Sequence, residues 1–113
     1  MHELSIAMSL LEVAAEEAAK HCGNVVAVHV QVGRLSGVVN EALALAWDAA
    51  RMGTALERAE LVIEEVPVAA YCPVCASDQD VVSPQWLRCV RCGAAVGQIV
   101  RGRELDLVAL EVE

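Results

Sequence analysis

Between Glu3 and Cys22 apolar residues return every three or four positions. Leu4, Met8, Leu11, Ala15 and Ala18 fall on one stripe, and Glu12, Glu16, Glu17 and Lys20 lie mostly off it. That period predicts an amphipathic helix over residues 3–22, stopped by Gly23. From Val25 the period drops to two. Val26, Val28, Val30 and Val32 alternate with more mixed residues, which predicts a strand with one strongly buried face. Residues 33–37 read as a turn, and Asn40 as the cap of a second helix. Leu43, Ala46, Trp47 and Ala50 form that helix's inner face, and it should end near Gly53. Residues 60–68 read as a second strand closed by Pro67. Residues 104–112 alternate again through Leu105, Leu107, Leu110 and Val112. The phase slips between Leu107 and Leu110, a place for a bulge. This last strand is expected to return to the sheet of the first part.

Composition changes at Tyr71. From there to about Ala95 the chain is rich in Cys, Pro and Gly and poor in large apolar residues, so it needs a staple to fold. Two Cys-x-x-Cys pairs, Cys72/Cys75 and Cys89/Cys92, stand 13 residues apart and can supply one. The expected fold is therefore α+β. Two helices pack on a small, about three-stranded sheet, and a four-cysteine, zinc-ribbon-like module is inserted before the last strand. In domain terms, residues 1–69 and 97–113 form an α/β core and residues 70–96 the zinc-binding module. No internal repeat or low-complexity segment interrupts this plan.

Length and charge narrow the function. The 113 residues carry 8 Lys+Arg against 16 Asp+Glu, a formal net charge of −8. Such acidity argues against non-specific binding to nucleic acid or anionic membranes, which calls for a positive surface. The 57% hydrophobic content is too high for a disordered chain. No apolar run approaches the roughly 20 residues of a membrane span. The start Met1-His2-Glu3 lacks the basic and apolar regions of a signal peptide. A soluble, cytoplasmic protein is expected, and in a reducing cytosol paired cysteines point to a metal cage rather than disulfides.

Each cysteine pair can form a tight knuckle with both sulfurs facing one point and backbone N–H groups stabilising the thiolates. Gly93, after the second pair, suits a left-handed turn. Four thiolates in a tetrahedron at about 2.3 Å favour Zn(II) over redox-dithiol or iron–sulfur use. A closed four-cysteine shell leaves no open position, so the zinc is expected to be structural. Arg88, Arg91, Arg101 and Arg103 give this end a basic bias. They lie near Asp78, Asp80, Glu104 and Asp106, and read as solvated surface rather than a nucleic-acid interface.

The chain start carries different chemistry. With Met1 retained, the α-amine, the deprotonated His2 amide and the His2 imidazole Nδ1 can chelate one metal in fused rings. Deprotonated amides and planar nitrogen donors favour Ni(II) or Cu(II) over Zn(II). Glu3 adds a further amide nitrogen and a carboxylate. Taken alone, a histidine at position 2 reads as a solvated side chain.

The combination is more specific. Met1-His2-Glu3-Leu4-Ser5 opens an amphipathic helix, and two Cys-x-x-Cys pairs begin near residue 72 of an acidic chain of this length. With the Val32-Gly33-Arg34-Leu35-Ser36 turn, the Glu41-Ala42-Leu43 helix start and the closing alternating strand, this resembles the HypA/HybF family over nearly the whole chain. These are nickel metallochaperones of [NiFe] hydrogenase maturation. The resemblance implies a nickel site mapping to Met1, His2 and Glu3 and a zinc site mapping to Cys72, Cys75, Cys89 and Cys92. It also implies work with a HypB-type GTPase and docking on the hydrogenase large-subunit precursor, with urease maturation served by some members. Neither Cys22 nor Pro73 has a role assigned by it.

Other residues read more plainly. His29 lies on the less apolar face of its strand and is structural or solvent-facing, and His21 and Cys22 make a helix end. Trp47 anchors the second helix; Trp86, between the cysteine pairs, packs on the knuckles or meets a partner. Ser36 has no base beside it. There is no Gly-rich phosphate loop, open metal site or acid/base pair, so an enzyme is not expected. The alternative to a nickel carrier is a zinc-ribbon protein–protein adaptor whose amino terminus is inert. Oligomeric state is open, since an exposed edge strand would allow chains to pair or swap.

Overall fold

The computed structural model describes residues 3–21 and 23–113. Two helices and seven strands follow in the order α1 (Glu3–Ala18), β1 (Val25–Gly33), α2 (Asn40–Ala50), β2 (Glu60–Val66), β3 (Ala69–Cys72), β4 (Ser77–Ser83), β5 (Trp86–Cys89), β6 (Ile99–Arg101) and β7 (Leu105–Val112). They form an α+β fold with a three-stranded sheet, ordered β2-β1-β7, and a four-stranded sheet, ordered β5-β4-β3-β6. The described chain divides into two compact units. One holds the residues up to 31, 38–64 and 106–113; the other holds 32–37 and 65–105.

In the first unit β1 is the central strand, and its buried residues fall on both faces, Val25 and Ala27 as well as Val28, Val30 and Val32, and not on one as the alternation predicts. Asn24 and Glu113 exchange backbone hydrogen bonds (3.4 and 2.8 Å), and the Gly33 N–H reaches the Glu104 carbonyl at 2.7 Å, so β7 returns antiparallel to β1. On the other side Gln31 Nε2 donates to Glu64 Oε1 at 2.7 Å, and the Arg34 N–H to the Val66 carbonyl at 3.1 Å. Partners there advance together, the sense of a parallel pair, and α2 lies in the crossover such a pair requires. The last strand thus closes on the sheet of the first part. Its half-buried residues Leu105, Leu107 and Leu110 keep the predicted slip of phase.

Helix α1 departs from expectation twice. It ends at Ala18, because Lys20 and His21 donate to Glu17 and Ala18 in tightened three-residue turns rather than continuing to Cys22, which lies outside the described residues. Its buried residues are Ala7, Leu10 and Ala14, one position back from the predicted stripe. One residue is about 100° of helix rotation. Small Ala7 and Ala14 let the helix backbone approach its neighbours, and Leu4 and Met8 are left 53% and 57% exposed.

Helix α2 follows its pattern more closely. Leu43 and Trp47 are fully buried. The Trp47 indole N–H donates to the Ala59 carbonyl at 2.9 Å, and Arg51 Nη1 donates to the same oxygen at 2.8 Å. Asn40 is the first helical residue and not the cap. The cap is Val39, in extended conformation and without a side-chain bond of its own. Glu3 Oε2 accepts from the Val39 N–H at 3.4 Å, so a carboxylate from α1 faces the positive end of α2.

The second unit holds a sheet of its own, which the Cys-, Pro- and Gly-rich composition did not announce. Strands β3 and β4 form a hairpin with Cys72 opposite Ser77, and β4 pairs with β5 through Val81 opposite Cys89. Val68, Ala70, Cys72, Val81, Cys89 and Val96 make its small core. Residues 32–37 join this unit where two chain segments cross: the Leu35 N–H donates to the Gly102 carbonyl at 2.6 Å. A Cβ on Gly33 would collide with that carbonyl and lie 2.6 Å from the Arg103 nitrogen.

Candidate metal site

The hairpin of β3 and β4 carries the first cysteine knuckle at its turn, and the end of β5 starts the second. The Cys75 N–H donates to Cys72 Sγ at 3.4 Å, as expected of a turn that supports a thiolate. In the second knuckle the Gly93 N–H closes on the Cys89 carbonyl at 2.8 Å. The residue after each pair is left-handed: Ala76 has φ 55° and Gly93 has φ 77°. The two knuckles are therefore built alike, but the first uses alanine where glycine is the unstrained choice. Sequence reasoning picked out Gly93 and missed Ala76, whose matching place after Cys75 was the available signal. A left-handed alanine costs about 1 kcal/mol. Ala76→Gly should accordingly stabilise the metal-loaded unit by about that much. Gly93→Ala, with open space around its Cβ, should cost about as much through the backbone alone. Thermal unfolding of the loaded protein measures both.

All four sulfurs lie within 4.8 Å of one another, the one such group of potential ligands among the described residues. Cys72 Sγ stands 3.5 Å from Cys92 Sγ, and Cys75 Sγ stands 3.9 Å from Cys89 Sγ. These separations are far beyond the roughly 2.05 Å of a disulfide. A tetrahedron of sulfurs about 2.3 Å from a central ion has edges of about 3.8 Å, so the set fits a tetrahedral thiophilic metal. Cys72 and Cys89 are buried, Cys75 is half-buried and Cys92 exposed.

Packing four thiols together divides their acidities. Burial pushes the Cys75 thiol up to about 12, and its hydrogen bonds to Cys92, Cys72 and Cys89 add to the rise. Burial acts upward on Cys89 too, but the backbone N–H groups of Cys92 and Arg91, with the neighbouring thiols, bring it down to about 7. The Ala94 N–H draws Cys92 down, yet hydrogen bonding to Cys72, burial and hydrogen bonding to Cys89 leave it above its ordinary value. Four negative sulfurs cannot share this space without a cation among them. A divalent ion relieves that conflict, and binding it must release protons.

The other sequence candidates are more dispersed. Glu3 opens α1 beside the α2 N-terminus; Met1 and His2 lie outside the described residues. His29 Nε2 sits 2.6 Å from Glu111 Oε1 on the first unit's sheet. His21 is exposed, 3.9 Å from Glu17. Trp86 is exposed rather than packed into the core, with the Arg88 guanidinium 5.3 Å over its ring. Arg88 also donates to the Gly93 carbonyl at 3.4 Å, which ties it to the knuckle.

A family model described as hydrogenase/urease nickel incorporation, metallochaperone, HypA, matches residues 1–112. The chain belongs to the HypA family. Hydrogenase maturation factor HypA of Chloroflexus aurantiacus is 48% identical over 112 residues, 98% of each chain. The HypA of a Roseiflexus species is 50% identical over 114 residues, covering all of this chain and 93% of its own. Among solved structures, the solution structure of the nickel metallochaperone HypA from Helicobacter pylori matches with a TM-score of 0.68 at 25% identity, over 99% of this chain and 97% of that one. A further solution structure of a HypA protein gives 0.72 at 25% identity, over 100% and 97%. This is thus a HypA-family chain with a four-cysteine metal-binding arrangement, and no helix among its described residues is long and apolar enough to cross a membrane.

Proposed function

We propose that the protein binds Ni(II) at its amino terminus and delivers it to the [NiFe] hydrogenase large-subunit precursor, with urease as a second destination. It would act with a HypB-type GTPase in the cytoplasm, without catalytic turnover. The observation that carries this reading is the family match, which begins at residue 1 and so includes the Met1-His2-Glu3 donor set. In this reading the α-amine, amide nitrogens and imidazole of that tripeptide hold the nickel. The hydrogen bond from the Val39 N–H ties the Glu3 carboxylate to the start of α2. A site at a chain end suits a carrier, because metal can exchange there without unfolding a core.

Cys72, Cys75, Cys89 and Cys92 would hold a structural Zn(II). The sulfur spacing and the full thiolate set favour zinc, which needs no open coordination position for this purpose. The nickel core would then comprise residues 1–69 and 97–113, and the zinc module residues 70–96.

Calorimetric nickel titration of tag-free, zinc-loaded protein tests this, beside a chain extended by one residue before Met1. The native chain should bind about one nickel. The extended chain and His2→Ala should lose that site, and acidification should weaken it because the nitrogen ligands must first lose protons. Equal binding by native and extended chains, or none by either, would favour a zinc-ribbon adaptor with an inert amino terminus.

A further inference from the structure

We propose that the free edge of β7 is a docking site for an extended, basic segment of a partner protein, which adds to the three-stranded sheet as a fourth strand. Among the described residues β7 has a neighbour only in β1, so its other edge is open. Glu113 exchanges its backbone hydrogen bonds with Asn24 of the β1 side. Strand alternation therefore turns the N–H and C=O groups of Val112 and Leu110 outward. A cavity of about 690 Å³ lies along this edge. Its floor is the strand at residues 107–110 and 112, and its wall is Val13, Glu17 and His21, one stripe of α1.

This shape selects an extended chain. A floor of five or six strand residues is about 20 Å long, with hydrogen-bonding groups at intervals that another strand matches. Helix α1 stands beside it, as a helix does in other grooves that accept an added strand. The exposed Val13 and Val108 offer alternate apolar contacts for such a segment. Strand β7 holds no lysine, arginine or proline, the usual means of blunting an edge.

Charge decides what the occupant is. Glu17 lines the groove, the strand itself carries Asp106 and Glu111 with Glu113 after it, and the basic groups nearby are Lys20 and His21, 3.3 and 3.9 Å from Glu17, and His29, 2.6 Å from Glu111. A second copy would bring the same carboxylates against these, on a chain whose formal net charge is −8. A strand alternating apolar and basic residues meets no such repulsion.

The test uses the full zinc-loaded protein, ¹⁵N-labelled, and three capped octapeptides: alternating valine–lysine, alternating valine–glutamate, and valine–lysine with alternate backbone nitrogens methylated. The valine–lysine peptide should shift amide resonances at residues 107–112 and at Val13, Glu17 and His21. It should slow exchange of the Leu110 and Val112 amides at least tenfold. The glutamate and methylated peptides should bind at least tenfold more weakly, as should the valine–lysine peptide to Val112→Pro, which removes one outward donor from an edge strand. Equal binding by the methylated peptide, shifts centred elsewhere, or no shift at millimolar peptide would overturn the proposal. So would protection of Leu110 and Val112 that rises with protein concentration alone, since the occupant would then be a second copy.

Discussion

Cys72→Ser will leave residues 65–105 unfolded under conditions in which α1 and α2 stay helical. The apolar core of that unit is three valines and an alanine around Cys72 and Cys89, assisted by partly buried Leu35, Leu87 and Ile99. Ordering each residue costs about 1–2 kcal/mol, and a core this small does not offset forty such terms. A four-thiolate zinc site supplies roughly 10–16 kcal/mol of folding free energy. Removing one thiolate leaves an incomplete shell, and binding should weaken by several orders of magnitude. Chelation of the wild-type protein should give the same state. The two tryptophans make the experiment local, because Trp47 reports on the first unit and Trp86 on the second. Amide exchange at Val81 and Cys89 should become fast in the variant and remain slow at Leu43 and Trp47. Slow exchange at Val81 after complete metal removal would show that packing alone holds the sheet.

Gly33→Ala should be the most damaging single methyl that can be added to this chain. At that point β1 passes Gly102 so closely that a Cβ would overlap its carbonyl group, and backbone rather than a flexible side chain is in the way. Gly102 cannot retreat: its own φ is 121°, and a Cβ there would already lie 3.1 Å from Val68 Cα. Moving the segments apart would also break the Leu35–Gly102 and Gly33–Glu104 backbone bonds. Overpacking of this kind costs about 1–3 kcal/mol when side chains can shift, and more when backbone must. The expected loss is 3 kcal/mol or above, a large fraction of a small protein's stability. Gly97→Ala is the control, since nothing lies within 4 Å of its Cβ; it should change stability by less than about 0.5 kcal/mol. Denaturant unfolding of both variants decides the point, and similar midpoints would refute the close-crossing argument.

Most of the architecture was legible because periodicity reports burial directly. The valines of β1, the Leu43–Trp47 face of α2 and the returning strand β7 all follow from where apolar residues recur. Helix α1 was given its correct start but ran on past Ala18 to Cys22, and it was turned wrongly about its axis. Its alanines carry little hydrophobic signal, yet a small residue is what a close helix contact selects. The pattern therefore favoured Leu4 and Met8, which are exposed. The second unit's sheet was hidden for a related reason. Its strands are three to seven residues long and polar on one side, held by knuckles rather than by apolar alternation. Cysteine spacing marked the ligands without revealing the strands between them. The mixed acidities of the four thiols and the left-handed Ala76 come from three-dimensional crowding, which no linear pattern encodes. Neither does the bond between Glu3 and Val39, which joins residues 36 positions apart.

Because the second unit lies between β2 and β7, both ends of residues 65–105 are anchored in the other unit's sheet. Without its metal that segment becomes a slack loop of about forty residues pinned at each end. Closing such a loop costs about 3 kcal/mol of chain entropy, and the first unit must bear it to keep β7 beside β1. Loading the cysteines shortens the slack to a folded span. The ion would thus raise the melting point of a sheet that supplies none of its four cysteine ligands, acting as a knot in the string.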